Sequence, residues 1–136
     1  MIINTGNRTD IPGFYSRWFY RRIKEGRVLV RNPYYPGQVT EYRLDPEVVD
    51  CICFCTKNPG PMLSGLDKIK DFGKCFYVTV TPYGKEIEPF VSDKEKVLED
   101  FCILSDKVGK EAVSWRYDPV FLRGKYSLKF HIKAFE

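Results

Sequence analysis

Short apolar runs alternate along this chain with longer segments in which apolar residues recur every three or four positions. Continuous runs of Val, Ile, Phe, Tyr and Cys are typical of buried strands, and the longer period is typical of amphipathic helices. The pattern predicts strands at residues 2–5, 51–55, 75–80 and 112–117. It predicts helices at about residues 12–25, 61–72 and 93–108, and a last helix that begins near residue 126.

Capping residues mark the limits of two of these helices. Asp10 precedes the first helix and Gly26 follows its last turn, positions that favour a side-chain acceptor and a left-handed residue respectively. Ser92 and Glu95 have the spacing of a capping box at the start of the third helix, and Gly109 follows that helix. The sequence therefore predicts where these two helices begin and end.

The order of the elements predicts the fold class. Alternating strands and helices indicate a parallel sheet with right-handed crossovers. Two further apolar runs, at 28–31 and 39–44, flank a turn rich in Pro and Tyr and add a small hairpin after the first helix. We predict an α/β fold with one domain over residues 1–136, namely a parallel (βα)4 half of a TIM-like barrel with a hairpin insertion.

Half a barrel leaves two sheet edges open and one sheet face incompletely covered, which parallel sheets usually avoid. The prediction therefore has two forms. In one, the chain is the N-terminal half of a larger (β/α) barrel and a C-terminal half is missing from it. In the other, the half-barrel pairs with a second copy as a homodimer.

Five apolar runs end in polar or charged residues close to a proline. Proline stops a strand ladder because it has no N–H to donate, and ligands bind at the carboxyl ends of the strands in parallel sheets and barrels. The residues near these stops are therefore predicted to line one ligand site. The candidates are Arg8, Thr9, Asp10, Arg31, Asn32, Lys57, Asn58, Thr81, Tyr83, Arg116 and Asp118.

The sequence leaves the roles of several candidates open. Arg8 beside a helix start suits the binding of a carboxylate or phosphate, but it also suits an ion pair with the capping Asp10. Asn58 suits either a ligand contact or the cap of the next helix. Arg116 and Asp118 point to the same side of a strand end, so they suit either a ligand site or a structural ion pair.

The charge distribution adds a second hypothesis. The net charge is only +4, yet residues 1–31 hold seven Lys or Arg against two acidic residues, mostly on the first helix. A solvated helix face explains this surplus, and a patch for nucleic-acid phosphates is the alternative, although no nucleic-acid-binding motif accompanies it. No apolar stretch approaches the roughly 20 residues that cross a bilayer, and no signal peptide is evident, so we expect a cytoplasmic protein without membrane contact.

The five cysteines predict packing rather than metal binding. Their odd number favours reduced thiols. Cys51, Cys53 and Cys55 lie on one face of a strand, but residues i and i+2 of a strand are roughly 7 Å apart, which is too far for neighbouring ligands of one ion. We therefore expect small buried thiols and no metal or cofactor held by this chain.

Segments 7–15, 30–33, 56–63, 81–89 and 115–119 resemble a prokaryotic family of uncharacterised proteins, the domain of unknown function 1848. They include Arg8-Thr9-Asp10-Ile11-Pro12, Thr56-Lys57-Asn58-Pro59 and Trp115-Arg116-Tyr117-Asp118-Pro119. The resemblance runs in order along nearly the whole chain.

The resemblance implies half of a radical SAM-like barrel. Members of the family are about twice this length, and their C-terminal part carries a cysteine cluster similar to the iron–sulfur motif of radical SAM enzymes. Full-length relatives would hold a four-iron–four-sulfur cluster and S-adenosylmethionine, and this chain would be inactive alone. Within such a barrel Arg8, Arg31, Lys57 and Arg116 would bind a small anionic or polar ligand. The rival hypothesis is a non-enzymatic dimerising module that binds a small anion or nucleic acid.

Overall fold

Four parallel strands form the central sheet of the computed structural model, which describes all 136 residues. They are β1 (Ile2–Asn4), β4 (Cys51–Thr56), β5 (Lys74–Thr79) and β6 (Val113–Arg116), in that spatial order. Each strand pairs only with the sheet strands nearest to it in the sequence. The predicted α/β class and parallel sheet are confirmed.

The predicted hairpin is also confirmed, as a separate two-stranded sheet. Its strands are β2 (Arg27–Arg31) and β3 (Val39–Arg43), which pair antiparallel. Asn32 organises the turn, because its side chain accepts hydrogen bonds from the backbone of Tyr34 and Tyr35 and donates one to Gln38 at 2.8 Å. The hairpin therefore extends from the domain without joining the central sheet.

The first helical region consists of two helices, so the prediction of one continuous helix over 12–25 is wrong. They are α1 (Ile11–Phe14) and α2 (Ser16–Glu25), separated by Tyr15, whose φ of −127° is not helical. Gly13, a weak helix former, lies just before the break. Asp10 caps α1 and Gly26 ends α2 with φ +69°, as predicted.

The aromatic side chains of this region divide between the surface and the core. Phe14 is 74% exposed, and Tyr15 and Trp18 are exposed as well. Phe19 and Tyr20 of α2 are buried in the core.

A long 3-10 helix, Gly60–Ile69, stands where an α-helix was predicted. It begins after Pro59 without a side-chain cap, so Asn58 is not its capping residue. Pro61 cannot donate a backbone hydrogen bond, and Gly65 lies directly under the Tyr20 ring, where a Cβ atom would be 2.4 Å from a ring carbon. These residues favour a tighter coil that packs closely on α2.

Two further α-helices complete the fold: α3 (Lys94–Val108) and α4 (Leu128–Phe135), with a short 3-10 turn at Lys110–Ala112. The Ser92–Glu95 capping box does not form, because α3 begins after Asp93 without a side-chain hydrogen bond at its cap. Gly109 ends α3 with φ +94°, as predicted. None of the helices is long and apolar enough to cross a membrane.

The core lies between one face of the sheet and the helices. Ile52 and Phe54 of β4 and Phe76 and Val78 of β5 are fully buried there, and the rings of Phe54 and Phe76 stack at 4.7 Å. Side chains on the opposite face stay partly exposed, for example Tyr77 at 39%. Because successive strand residues alternate between faces, the sheet is covered on one side and open on the other.

Candidate functional site

Asp10 links the first loop to the end of β4. One carboxylate oxygen accepts a hydrogen bond from the Gly13 backbone N–H at 2.7 Å, which caps α1. The other accepts from the Thr56 hydroxyl at 2.8 Å and from the Lys57 backbone N–H at 3.0 Å. Both oxygens are therefore engaged, and Asp10 acts to position the carboxyl edge of the sheet. It does not contact Arg8.

Glu88 is a second organiser, which the sequence analysis did not identify. Its side chain is only 9% exposed, and it forms ion pairs with Lys57 and Lys94. The Thr81 hydroxyl donates to the same carboxylate at 2.8 Å. Burial alone would raise the pKa of Glu88, but the hydrogen bonds from the two lysines and Thr81 outweigh it and lower the pKa. Glu88 thus fastens the loop after β5 to the end of β4.

Two of the remaining predicted cations, Arg8 and Arg116, have partners elsewhere. Arg8 donates to the backbone carbonyl of Arg31 at 2.9 Å, which ties the first loop to the hairpin. Arg116 pairs with Asp118 at 2.6 Å. The hydrogen bond that Arg116 donates to the Asp118 carboxylate chiefly raises the pKa of Arg116, and the Cys55 thiol has a smaller effect in the same direction. The structural ion pair that the sequence left open for Arg116 and Asp118 is therefore present.

Tyr83 is buried in the loop after β5 and does not line the cleft described below. Its hydroxyl donates to the Pro119 carbonyl at 2.8 Å, and its ring stacks on Phe121 at 4.6 Å. This geometry suits a packing role that holds the segment after β6 against the loop after β5.

A cleft of ≈ 380 Å³ lies at the carboxyl ends of β1 and β4. Four predicted site residues line it: Thr9, Asp10, Lys57 and Asn58. The other predicted residues do not line it; they are Arg8, Arg31, Asn32, Thr81, Tyr83, Arg116 and Asp118. The sequence-based site therefore divides into a cleft group and a surrounding group that braces the loops.

Other cleft residues were missed by the sequence analysis. They include Gly6, Cys55, Thr79 and Ser92. A Cβ atom on Gly6 would lie 2.8 Å from the Cys55 Cβ, so only glycine lets the first loop approach β4 this closely. Strand alternation could have identified Cys55 and Thr79 as facing away from the core, but nothing in the sequence indicates that Ser92 returns to this edge.

Three thiols lie close together on the open face of the sheet, toward the amino end of β4. Cys53 and Cys75 are partners in the parallel ladder, with their Sγ atoms 3.1 Å apart. The Sγ atoms of Cys51, Cys53 and Cys75 all lie within 4.8 Å of one another. Burial raises the pKa of the Cys75 and Cys51 thiols, so both carry protons at neutral pH. The Sγ atoms of Cys51 and Cys53 are closer than the roughly 7 Å that separates residues i and i+2 along a strand, and the neighbouring strand places the Cys75 thiol beside them.

The family model described as Domain of unknown function (DUF1848) matches residues 2–136. The chain belongs to this family. No curated protein and no solved structure matches this DUF1848 domain. The family's description assigns no activity.

Proposed function

We propose that this DUF1848 domain is the N-terminal half of a (β/α) barrel enzyme of radical SAM-like type, and that its cleft binds a small polar part of a cofactor or substrate. The observation that carries the proposal is the position of the cleft at the carboxyl ends of adjacent parallel strands. This is where open parallel sheets and barrels bind ligands. The consecutive strand order and the open sheet face are what half a barrel would have.

The cleft chemistry restricts the ligand. Lys57 and Asn58 offer donors, Thr9 and Ser92 offer hydroxyls, and Phe90 supplies an apolar wall. Because Glu88 neutralises Lys57, the cleft suits a ligand with both donors and acceptors better than a highly charged anion. A volume of ≈ 380 Å³ is at the small end of ligand pockets, which hold roughly 300–1,000 Å³.

The four-iron–four-sulfur cluster of such enzymes does not fit on this chain's grouped cysteines. Each cysteine of a four-iron–four-sulfur cluster binds a different iron, so the cysteine sulfurs surround a core of several atoms. The Sγ atoms of Cys51, Cys53 and Cys75 lie within 4.8 Å of one another and leave no room for that core. In the proposal, this domain binds and orients a polar group, and the cluster would belong to another part of the enzyme.

The test is calorimetric titration of the purified chain with S-adenosylmethionine, methionine and inorganic phosphate. Asn58→Ala and Thr9→Val, which alter the cleft, should weaken binding of the ligand at least about tenfold, the loss expected for one hydrogen-bonding group. Thr40→Val, on the exposed hairpin strand, is the matched control and should bind like wild type. The proposal would be contradicted if Thr40→Val weakened binding as much as Thr9→Val does. It would also be contradicted if none of the probes bound.

A second candidate function, nucleic-acid binding, has an observation of its own. A broad cleft of ≈ 990 Å³ between α2 and the 3-10 helix is lined by Arg17, Arg21, Lys24 and Lys68, with no acidic residue in its lining. Arg22, in contrast, pairs with Glu25. Clustered unpaired cations are the electrostatic footprint of phosphate-backbone binding.

Fluorescence anisotropy with labelled single- and double-stranded oligonucleotides tests this candidate. Affinity should decrease less steeply with salt when Arg21→Ala and Lys24→Ala are combined. The magnitude of the slope of log affinity against log salt should decrease by about 2, roughly one for each phosphate that the double variant leaves without a cation. The control pair Lys129→Ala and Lys133→Ala on α4 should leave the slope unchanged. Absence of binding at low salt would remove this candidate while leaving the small-ligand proposal intact.

A further inference from the structure

The open face of the sheet carries a group of thiols that the proposed ligand cleft does not use. Parallel pairing of β4 and β5 places Cys53 opposite Cys75, and strand alternation places Cys51 on the same face. The three Sγ atoms lie within 4.8 Å of one another. Cys55 lies on the same strand and face but outside this group, and instead lines the cleft.

We propose that Cys51, Cys53 and Cys75 form a binding site for one thiophilic metal ion of the Zn²⁺ or Cu⁺ class. Zinc–sulfur bonds are about 2.3 Å long, so three sulfurs arranged in a plane around one ion would be about 4.0 Å apart. The three Sγ atoms lie within 4.8 Å of one another, and those of Cys53 and Cys75 are 3.1 Å apart, so small side-chain rotations that open this pair bring all three distances to about 4.0 Å. Thiolate ligands select Cu⁺ and Zn²⁺ over the harder Mg²⁺ and Ca²⁺.

The surroundings allow an ion to reach this site. All three cysteines are only partly buried, and their neighbours on the open face include Ile2, which is 70% exposed. The backbone on both strands is fixed by the parallel ladder, so the ligands come from rigid elements rather than from mobile loops. Three protein ligands leave a further coordination position toward solvent, as in zinc sites that keep one position open.

Cadmium titration of the reduced chain under anaerobic conditions tests the proposal. Cd²⁺ is a thiophilic probe whose thiolate complexes absorb in the ultraviolet, so absorbance reports sulfur coordination directly. We expect saturation at one equivalent per chain, and displacement of Cd²⁺ by Cu⁺. No thiolate absorbance, or saturation without a defined stoichiometry, would overturn the site.

Serine variants identify the ligands. Cys51→Ser, Cys53→Ser and Cys75→Ser should each weaken Cd²⁺ binding by more than the roughly 10–100-fold that loss of an outer-sphere partner costs. Cys55→Ser, on the same strand and face, and Cys102→Ser, on the exposed surface of α3, should bind like wild type. An equal loss in Cys55→Ser would contradict the assignment.

Thiol protection gives a readout that does not depend on the folding of variants. With Zn²⁺ bound, alkylation followed by peptide mass spectrometry should show protection of Cys51, Cys53 and Cys75 and modification of Cys102. The close approach of Cys53 and Cys75 also suits a disulfide. A Cys53–Cys75 disulfide that persists under strong reductant and prevents Cd²⁺ binding would overturn the proposal.

Discussion

Replacing Glu88 with Gln removes the charge that joins two loops at the carboxyl edge of the sheet. In the wild type this carboxylate receives hydrogen bonds from Lys57, Lys94 and Thr81. The Gln side chain has nearly the same shape, but it keeps one acceptor oxygen and carries no charge. The variant therefore tests the electrostatic contribution of Glu88 with little change in packing.

The expected loss follows from the burial of the partners. Removing one member of a fully buried ion pair costs about 3–5 kcal/mol, and one hydrogen bond to a charged group contributes about 1.5–3 kcal/mol. Glu88 is 9% exposed, but the Lys57 and Lys94 side chains are 35% and 29% exposed, so both ammonium groups can regain water in the variant. We expect Glu88→Gln to lower the free energy of unfolding by about 2–3 kcal/mol, which combines these terms.

Urea unfolding at pH 7, followed by circular dichroism, measures this loss. The pKa of Glu88 is lowered in the folded state, so its contribution is complete above the unfolded carboxyl pKa of about 4.3 and disappears as the pH falls through the lower folded value. The difference in the free energy of unfolding between wild type and Glu88→Gln should therefore become smaller below about pH 4.

The matched control is Glu99→Gln on the exposed side of α3. Glu99 is 69% exposed and lies 3.5 Å from Lys96, so its removal should change stability by no more than about 0.5 kcal/mol. Glu88 would have no such electrostatic role if the free energy of unfolding of Glu88→Gln were within about 0.5 kcal/mol of the wild-type value, or if the difference between them were unchanged at pH 3.

Three further predictions address the core, the first cap and the last loop. Phe54→Ala should lower the free energy of unfolding in urea by about 3–5 kcal/mol, because removing its fully buried ring leaves a cavity. Tyr77→Ala on the open face should lower it much less, and equal losses would contradict the assignment of the covered face. Asp10→Ala should lower the free energy of unfolding by about 1–2 kcal/mol through the lost helix cap, with a further loss because the strand-end donors are left unpaired. Wild-type stability in this variant would contradict the bridging role of Asp10. Nuclear magnetic resonance titration should find the pKa of Glu86 at about 2, lowered chiefly by the hydrogen bond from Lys125, and Lys125→Met should return it toward the ordinary value.

Strand positions could be predicted closely because their signals are local. The run that predicted a strand at 51–55 differs by one residue from β4, since β-branched and aromatic residues favour a pleated surface and the following Lys-Asn-Pro segment stops the ladder. Helix geometry was less predictable. Periodicity cannot distinguish the 3-10 helix from an α-helix, because the choice depends on how closely Gly65 packs under Tyr20.

The residues of the candidate site were predictable where their role depends on sequence neighbours, and not where it depends on long-range contacts. Asp10 could be identified because a helix cap depends on adjacent residues. Glu88 could not be identified from the sequence, because it lies in a polar loop and only folding of the chain brings it to Lys57. Cys75 was likewise missed as a partner of Cys53, because a shift of one residue in register would place it on the other face of the sheet.

The consecutive strand order gives the sheet a direction of assembly. During synthesis, β1 has no sheet partner until β4 follows it, because Ile2 pairs with Cys51. From then on each new strand adds to the one made just before it, β5 to β4 and β6 to β5. Synthesis delivers the N-terminal strands first, so the partners of each strand become available in this order. Among these four strands, each later strand is therefore added on the same side of the sheet, and the far edge of β6 is the side on which a further strand would pair.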